Sequence, residues 1–191
     1  MALSIQRKGF GQVELNQVAG GMVTAQLVDQ VPADSTLGAI LEQGRFVRQA
    51  IKKADNSVVL VAPGASTDAY DMFGPFLMIY NEEYFYDERD SYHKDFAMKA
   101  EDFIGEEMVP RCFRLVDTDK LTTNCFAAAN TDKNATVTTA ISLSVGDEVG
   151  VGADGYLVAT ANAVADSPKL VVIKEYNLPD MQAAVKLQVA E

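Results

Sequence analysis

From Pro110 to Glu191 the sequence is a series of short apolar runs, each but the last closed within a few residues by Gly, Asp, Asn or Pro. The runs are Cys112 to Val116, Lys120 to Phe126, Val137 to Val145, Glu148 to Val151, Tyr156 to Ala161, Leu170 to Tyr176 and Ala183 to Val189. Within them Ile141, Leu143 and Val145 alternate with Ser142 and Ser144, and Val185, Leu187 and Val189 alternate with Lys186 and Gln188. Successive side chains of a strand point to opposite faces, so this alternation builds sheets with one apolar and one wet face. Short strands at this spacing predict a mainly β fold, a small β-barrel or β-sandwich.

The sharpest local signal is Asp154-Gly155, set between Val149-Gly150-Val151 and Tyr156-Leu157-Val158. Asp-Gly supplies the positive backbone angles of a tight hairpin turn. Upstream, Val58 to Val61 is a β-branched run bounded by Asp55-Asn56 and Pro63-Gly64, the punctuation of a core strand. Leu37 to Ile51 is read as two short strands flanking Gly44, because Gly38 and Gly44 interrupt any helix. Residues 63–75, with two Pro and two Gly, are expected to form a loop before a strand at Phe76 to Tyr80.

Two stretches depart from this pattern. Residues 1–36 contain Gly9, Gly11, Gly20 and Gly21 and no sustained period, so they are expected to form an extended N-terminal arm or loosely attached strands, with residues 37–191 as the β-rich domain. Residues 81–107 form an acidic aromatic insert with ten acidic and three basic residues. Inside it, Phe96, Ala100, Phe103 and Ile104 are spaced as one face of a helix, with Asp90 or Ser91 as cap and Gly105 as stop, which predicts one short helix.

A chain of 191 residues fits one core. The formal net charge is -11, with +2 on residues 1–53 and -13 on the remainder. Phosphate binding needs clustered Lys and Arg, so nucleic acid is not an expected partner. The charge asymmetry would let the near-neutral N-terminal segment meet an acidic surface. No run approaches the roughly 20 apolar residues of a membrane span, and Met1 to Phe10 lacks a following apolar stretch, so no membrane partner and synthesis in the cytoplasm are expected. Cys112 and Cys125 read as buried thiols.

Catalytic and cofactor motifs are weak throughout. Gly150, Gly152 and Gly155 fit G-x-G-x-x-G, but a strand-like run follows where a dinucleotide site needs a helix. His93 is the only histidine, which restricts histidine-assisted nucleophiles and multi-histidine metal sites. Ser66 lacks the G-x-S-x-G elbow. Acidic pairs such as Asp87-Glu88, Glu101-Asp102 and Glu106-Glu107 read as solvated faces, and Asp117, Asp119, Asp147, Glu148 and Asp154 as turn chemistry rather than a cation loop. The expectation is a non-enzyme without cofactor or metal. Tyr80, Tyr84, Tyr86 and Tyr92, set among carboxylates, suit a protein-binding or glycan-binding face.

The segment Val145-Gly146-Asp147-Glu148-Val149-Gly150-Val151-Gly152-Ala153-Asp154-Gly155-Tyr156-Leu157-Val158 resembles the V-G-D-x-V-x-x-x-x-D-G hairpin of auxiliary capsid proteins of tailed bacteriophages, the decoration or cement proteins. Lys174-Glu175-Tyr176-Asn177-Leu178-Pro179 and Gly44-Arg45-Phe46-Val47 add to the likeness, which spans about 150 residues. The resemblance implies a small β domain on the capsid surface, in contact with the major capsid protein and copies of itself, multimeric in the assembled particle and without catalytic residues. The insert at 81–107 departs from the most compact members. On this view Arg7, Lys8 and Phe10 of the arm, with Tyr84 and Tyr86, form the protein interface. A tail-tube or neck protein is the nearest alternative, and a glycan-binding adhesion module using Tyr84 and Tyr86 is the alternative from another class.

Overall fold

A computed structural model describes residues 2–17, 27–28, 30–80, 97–103, 106–127 and 141–190, and the structural statements below concern these. In chain order the strands are β1 (Leu3–Ile5), β2 (Val13–Gln17), β3 (Leu27–Val28), β4 (Ile40–Glu42), β5 (Phe46–Lys52), β6 (Val58–Val61), β7 (Tyr70–Ile79), β8 (Ala97–Lys99), β9 (Cys112–Phe113), β10 (Lys120–Thr123), β11 (Ile141–Leu143), β12 (Glu148–Val151), β13 (Leu157–Ala159), β14 (Lys169–Asn177) and β15 (Ala183–Ala190). Their only helical companions among the described residues are three 3-10 turns, at Ser35–Leu37, Ala100–Asp102 and Thr160–Asn162. The protein is therefore mainly β, as the alternating runs require.

The strands form a six-stranded sheet in the order β13-β12-β14-β15-β10-β2, a five-stranded sheet in the order β3-β9-β7-β5-β6, and two short pairs, β1-β11 and β4-β8. All neighbouring strands are antiparallel. Each order is open at both ends, so the described strands form no closed barrel.

The alternation read in β15 decides the larger core. Val185, Leu187 and Val189 are buried with Leu170 and Val172 of β14 and Leu121 of β10, whereas Lys186 and Gln188 are half-buried on the opposite face. Phe46 and Met78 of the five-stranded sheet and Ile5 and Leu143 of the β1-β11 pair join the same core. A second core lies on the other side of the five-stranded sheet, where Val47, Leu60, Leu77 and Ile79 meet Leu37 and Leu41. Each side chain of this size adds roughly 1.5–3 kcal/mol when fully buried.

The two strands expected around Gly44 are β4 and β5, and β6, β12, β13, β14 and β15 fall within a residue or two of their expected positions. Asp154-Gly155 does turn β12 into β13, through a three-residue loop rather than a two-residue one. The Gly155 N–H donates to the Gly152 carbonyl (3.0 Å) and the Gly152 N–H to the Tyr156 carbonyl (2.8 Å). Only Gly155 in this loop has positive φ, at 89°, the arrangement of a type I turn followed by a bulge.

Three expectations are corrected. The loop expected at 63–75 ends at Tyr70, because Tyr70 to Phe73 pair with Gln49 to Lys52. The Gly74-Pro75 breaker is taken up as a bulge: Phe73 faces Gln49 and Leu77 faces Val47, leaving Gly74, Pro75 and Phe76 opposite Arg48 alone. Proline lacks the N–H a ladder needs and is tolerated at such a bulge. The helix expected over Phe96 to Ile104 is, in its described part, strand β8 paired with β4 and then one 3-10 turn, since cross-strand pairing holds Ala97 to Lys99 extended. Phe96, Ile104 and the expected caps and stop lie outside the described residues.

The third correction concerns the described residues of the N-terminal segment, which form no arm reaching away from the body but, in line with the other reading, strands attached to it. Leu3 pairs with Leu143, and Val13 with Thr123. Ile5 and Val13 enter the larger core, and Phe10 is also buried. Isolated apolar residues between glycines gave no period to read, yet Ile5 and Val13 each find an apolar site made by strands far along the chain.

Candidate functional site

The residues singled out for an interface divide three ways. Arg7 and Phe10 are 2% and 4% exposed and are buried in their own chain, so they form no outward docking surface. Lys8 is exposed, and its backbone N–H donates to Gln182 Oε1 at 2.6 Å. Tyr84 and Tyr86 lie outside the described residues, as do Tyr92 and His93.

Arg7 belongs to a buried polar hub that the sequence did not announce. Its Nη1 donates to Glu42 Oε2 at 2.6 Å and its Nη2 to Glu42 Oε1 at 2.8 Å, with Nη2 also donating to the Ala127 carbonyl. The Tyr156 hydroxyl donates to Glu42 Oε1 at 2.6 Å and the Gly11 N–H to Oε2 at 2.8 Å. Both carboxylate oxygens are thus engaged, and Glu42 is 0% exposed. Burial, reinforced by the Glu42 charge, pushes the Tyr156 hydroxyl up, which keeps it a donor.

Arg45 extends the hub. Its Nε donates to the Asp154 carbonyl (2.9 Å), its Nη1 donates to the carbonyls of Leu37 (2.6 Å) and Ile40 (3.2 Å), and its guanidinium lies 5.3 Å from the centre of the Tyr156 ring. Beside it the Phe46 N–H donates to the Gly155 carbonyl at 2.7 Å. A Cβ on Gly155 would press into the Phe46 carbonyl oxygen, so the turn glycine is also needed for close approach. The Gly44-to-Val47 turn and the Asp154-Gly155 hairpin are therefore docked on one another, and the hub joins the N-terminal segment, β4, β5 and the β12-β13 hairpin. Glu42, the one acid in an otherwise apolar β4, was the available sequence signal.

The other candidate groups are also engaged in structure. Asp34 Oδ1 accepts from the Tyr70 hydroxyl (2.7 Å) and the Thr36 N–H (3.0 Å), and Oδ2 from Lys52 Nζ (3.0 Å). Burial pushes the Asp34 carboxyl up, but these donors outweigh it and hold it below the ordinary carboxylate value. Cys112 and Cys125 are free buried thiols, and burial pushes each up to about 12, far from the thiolate a nucleophile needs. Gly150, Gly152 and Gly155 lie in and beside the hairpin, so no helix N-terminus follows them. Ser66 serves a turn, its Oγ accepting from the Asp68 N–H at 3.3 Å. Among the described residues no group of His, Cys, Asp and Glu has the arrangement to hold a metal ion.

Part of the exposed surface of the five-stranded sheet is apolar. Ile51 and Val58 face one another across β5 and β6 and are 39% and 44% exposed, and Phe73, one row along on β7, is 40% exposed. By strand alternation they share a face with Val47, Leu60 and Leu77, which are buried in the second core. The apolar face thus continues past the cover supplied by Leu37 and Leu41. No protein family, curated protein or solved structure matches the chain.

Proposed function

We propose that this chain is a non-catalytic structural protein of a virion, one that binds the outside of an assembled phage capsid and stabilises contacts between major capsid subunits. The observation that carries the protein-binding part is the exposed strip of Ile51, Val58 and Phe73, continuous with a buried face. Contiguous exposed apolar surface on a folded domain favours a protein partner. The engagement of Glu42, Arg7, Asp34 and both thiols in internal bonds or burial supports a scaffold rather than a reaction centre.

The capsid setting rests on the resemblance of Val145 to Val158, with Gly44 to Val47 and Lys174 to Pro179, to decoration proteins. A protein that binds the assembled shell and not loose subunits favours assembly by mass action. Quantitative mass spectrometry of purified particles tests the setting. The chain should be present in numbers near those of the major capsid protein, and its absence from mature virions would end the proposal. About a dozen copies would instead indicate a neck ring. Ile51→Asp with Phe73→Asp should leave the fold intact and abolish recruitment to the particle.

A further inference from the structure

Two hairpin loops of the six-stranded sheet share one turn geometry and differ at one position. The β12-β13 loop has the Gly155 and Gly152 bonds described above, and the Tyr156 N–H donates to Asp154 Oδ1 at 3.3 Å. In the β14-β15 loop the Met181 N–H donates to the Leu178 carbonyl (2.8 Å), the Leu178 N–H to the Gln182 carbonyl (2.9 Å) and the Gln182 N–H to Asp180 Oδ1 (3.1 Å). Each is a type I turn followed by one residue at positive φ, Gly155 at 89° and Met181 at 67°. Glycine takes that conformation without steric cost, whereas a side chain with a Cβ is strained in it. Met181 gains little packing in return, since it is 76% exposed.

We propose that Met181 is a modification site, an exposed thioether that hydrogen peroxide oxidises to the sulfoxide while the fold around it stays intact. The other described methionines are shielded. Met78 and Met108 are 0% and 9% exposed, and Met72 and Met98 are half-buried against core residues. In the reaction the sulfur lone pair attacks one peroxide oxygen, and the S–O bond forms as the O–O bond breaks. The departing hydroxide takes the proton of the transferred oxygen and leaves as water, so the sulfur is oxidised by two electrons and the peroxide is reduced. None of the bonds that hold the hairpin tip uses the thioether. Gln12 Nε2 and Gln182 Nε2 both donate to Asp180 Oδ2 at 2.6 Å, and Gln182 Oε1 accepts from the Lys8 N–H. An oxygen added at the sulfur therefore turns an apolar tip polar without breaking a contact of the turn. This reactivity does not depend on the capsid setting.

The test exposes the full-length folded protein to hydrogen peroxide at neutral pH, stops the reaction with excess free methionine and reads each methionine by peptide mass spectrometry. Met181 should gain an oxygen at least about tenfold faster than Met78 or Met108, and the rates should converge once urea unfolds the chain. Mild oxidation that modifies Met181 should leave the urea midpoint where it was. Met181→Gly should raise the midpoint, because the turn then no longer holds a side chain against its backbone preference. Equal rates at Met181, Met78 and Met108 in the folded protein would overturn the inference. So would a fall in midpoint on mild oxidation that Met181→Leu abolishes, or an unchanged or lower midpoint in Met181→Gly.

Discussion

Arg7 and Glu42, 35 positions apart, meet in a two-point ion pair with both side chains removed from solvent. Taking two charges out of water is costly, and the pair is held because Glu42 also accepts from Tyr156 and Gly11. Removing one partner leaves the other charge buried without compensation. Arg7→Ala and Glu42→Ala should each lower unfolding free energy by about 3–5 kcal/mol in urea titrations. Arg7→Met with Glu42→Leu should recover only part of that loss, because the Tyr156 hydroxyl and Gly11 N–H then lack an acceptor. Adding Tyr156→Phe should recover more.

Gly155 and Gly146 separate two effects that a glycine can have. Both have positive φ, 89° and 97°, but a Cβ at Gly146 meets nothing within 4 Å, whereas at Gly155 it meets the Phe46 backbone. Gly146→Ala should cost about 1 kcal/mol from backbone strain alone. Gly155→Ala should cost clearly more and lower the denaturation midpoint further, since the hairpin must lift from the Gly44-to-Val47 turn.

Acid should loosen the Asp34 contact with a defined sign. Its carboxyl is held below the ordinary value of about 3.9, so the stability it contributes is complete above that pH and is lost as pH falls through the lowered folded value. Tyr70→Phe removes one donor and brings the folded value back toward the ordinary one. The acid unfolding transition, followed by circular dichroism, should then begin at higher pH than in the parent protein. Lys52, more exposed, should matter less when changed to Met.

Cys112 and Cys125 should resist alkylation at pH 8 in the folded protein. With each thiol pushed up to about 12, only about one in 10⁴ would be thiolate at that pH, and both are shielded from reagent. Iodoacetamide labelling read by mass spectrometry should appear at both sites together as denaturant unfolds the domain. Labelling of Cys125 alone below the global transition would show that the hub opens locally.

The sheets were legible in the sequence wherever alternation or a β-branched run was long enough to register, as in β6, β14 and β15. Tertiary context overrode the reading elsewhere. Gly74-Pro75 looked like the end of a loop because a bulge and a turn use the same residues, and only the pairing of Phe73 with Gln49 and Leu77 with Val47 distinguishes them. Phe96, Ala100, Phe103 and Ile104 carried helical spacing, but β4 supplies Ala97 to Lys99 with a partner that no local pattern reveals. The hub was illegible for a related reason. Arg7, Glu42 and Tyr156 are single residues brought together from three distant places, and none forms a motif with its neighbours in sequence. The hairpin of Val145 to Val158 was readable because its turn chemistry is local.

The pairing of the N-terminal strands with partners more than a hundred positions downstream governs when this protein can become itself. Val13 needs Thr123, Leu3 needs Leu143, and the Glu42 that holds Arg7 needs the hairpin that carries Tyr156. A ribosome adds about 5–20 residues each second, so Ile5 and Val13 wait on the order of ten seconds before the segments that shelter them exist. Closure of these pairs therefore follows synthesis of the later strands, and Ile5 and Val13 settle only after segments far downstream of them exist.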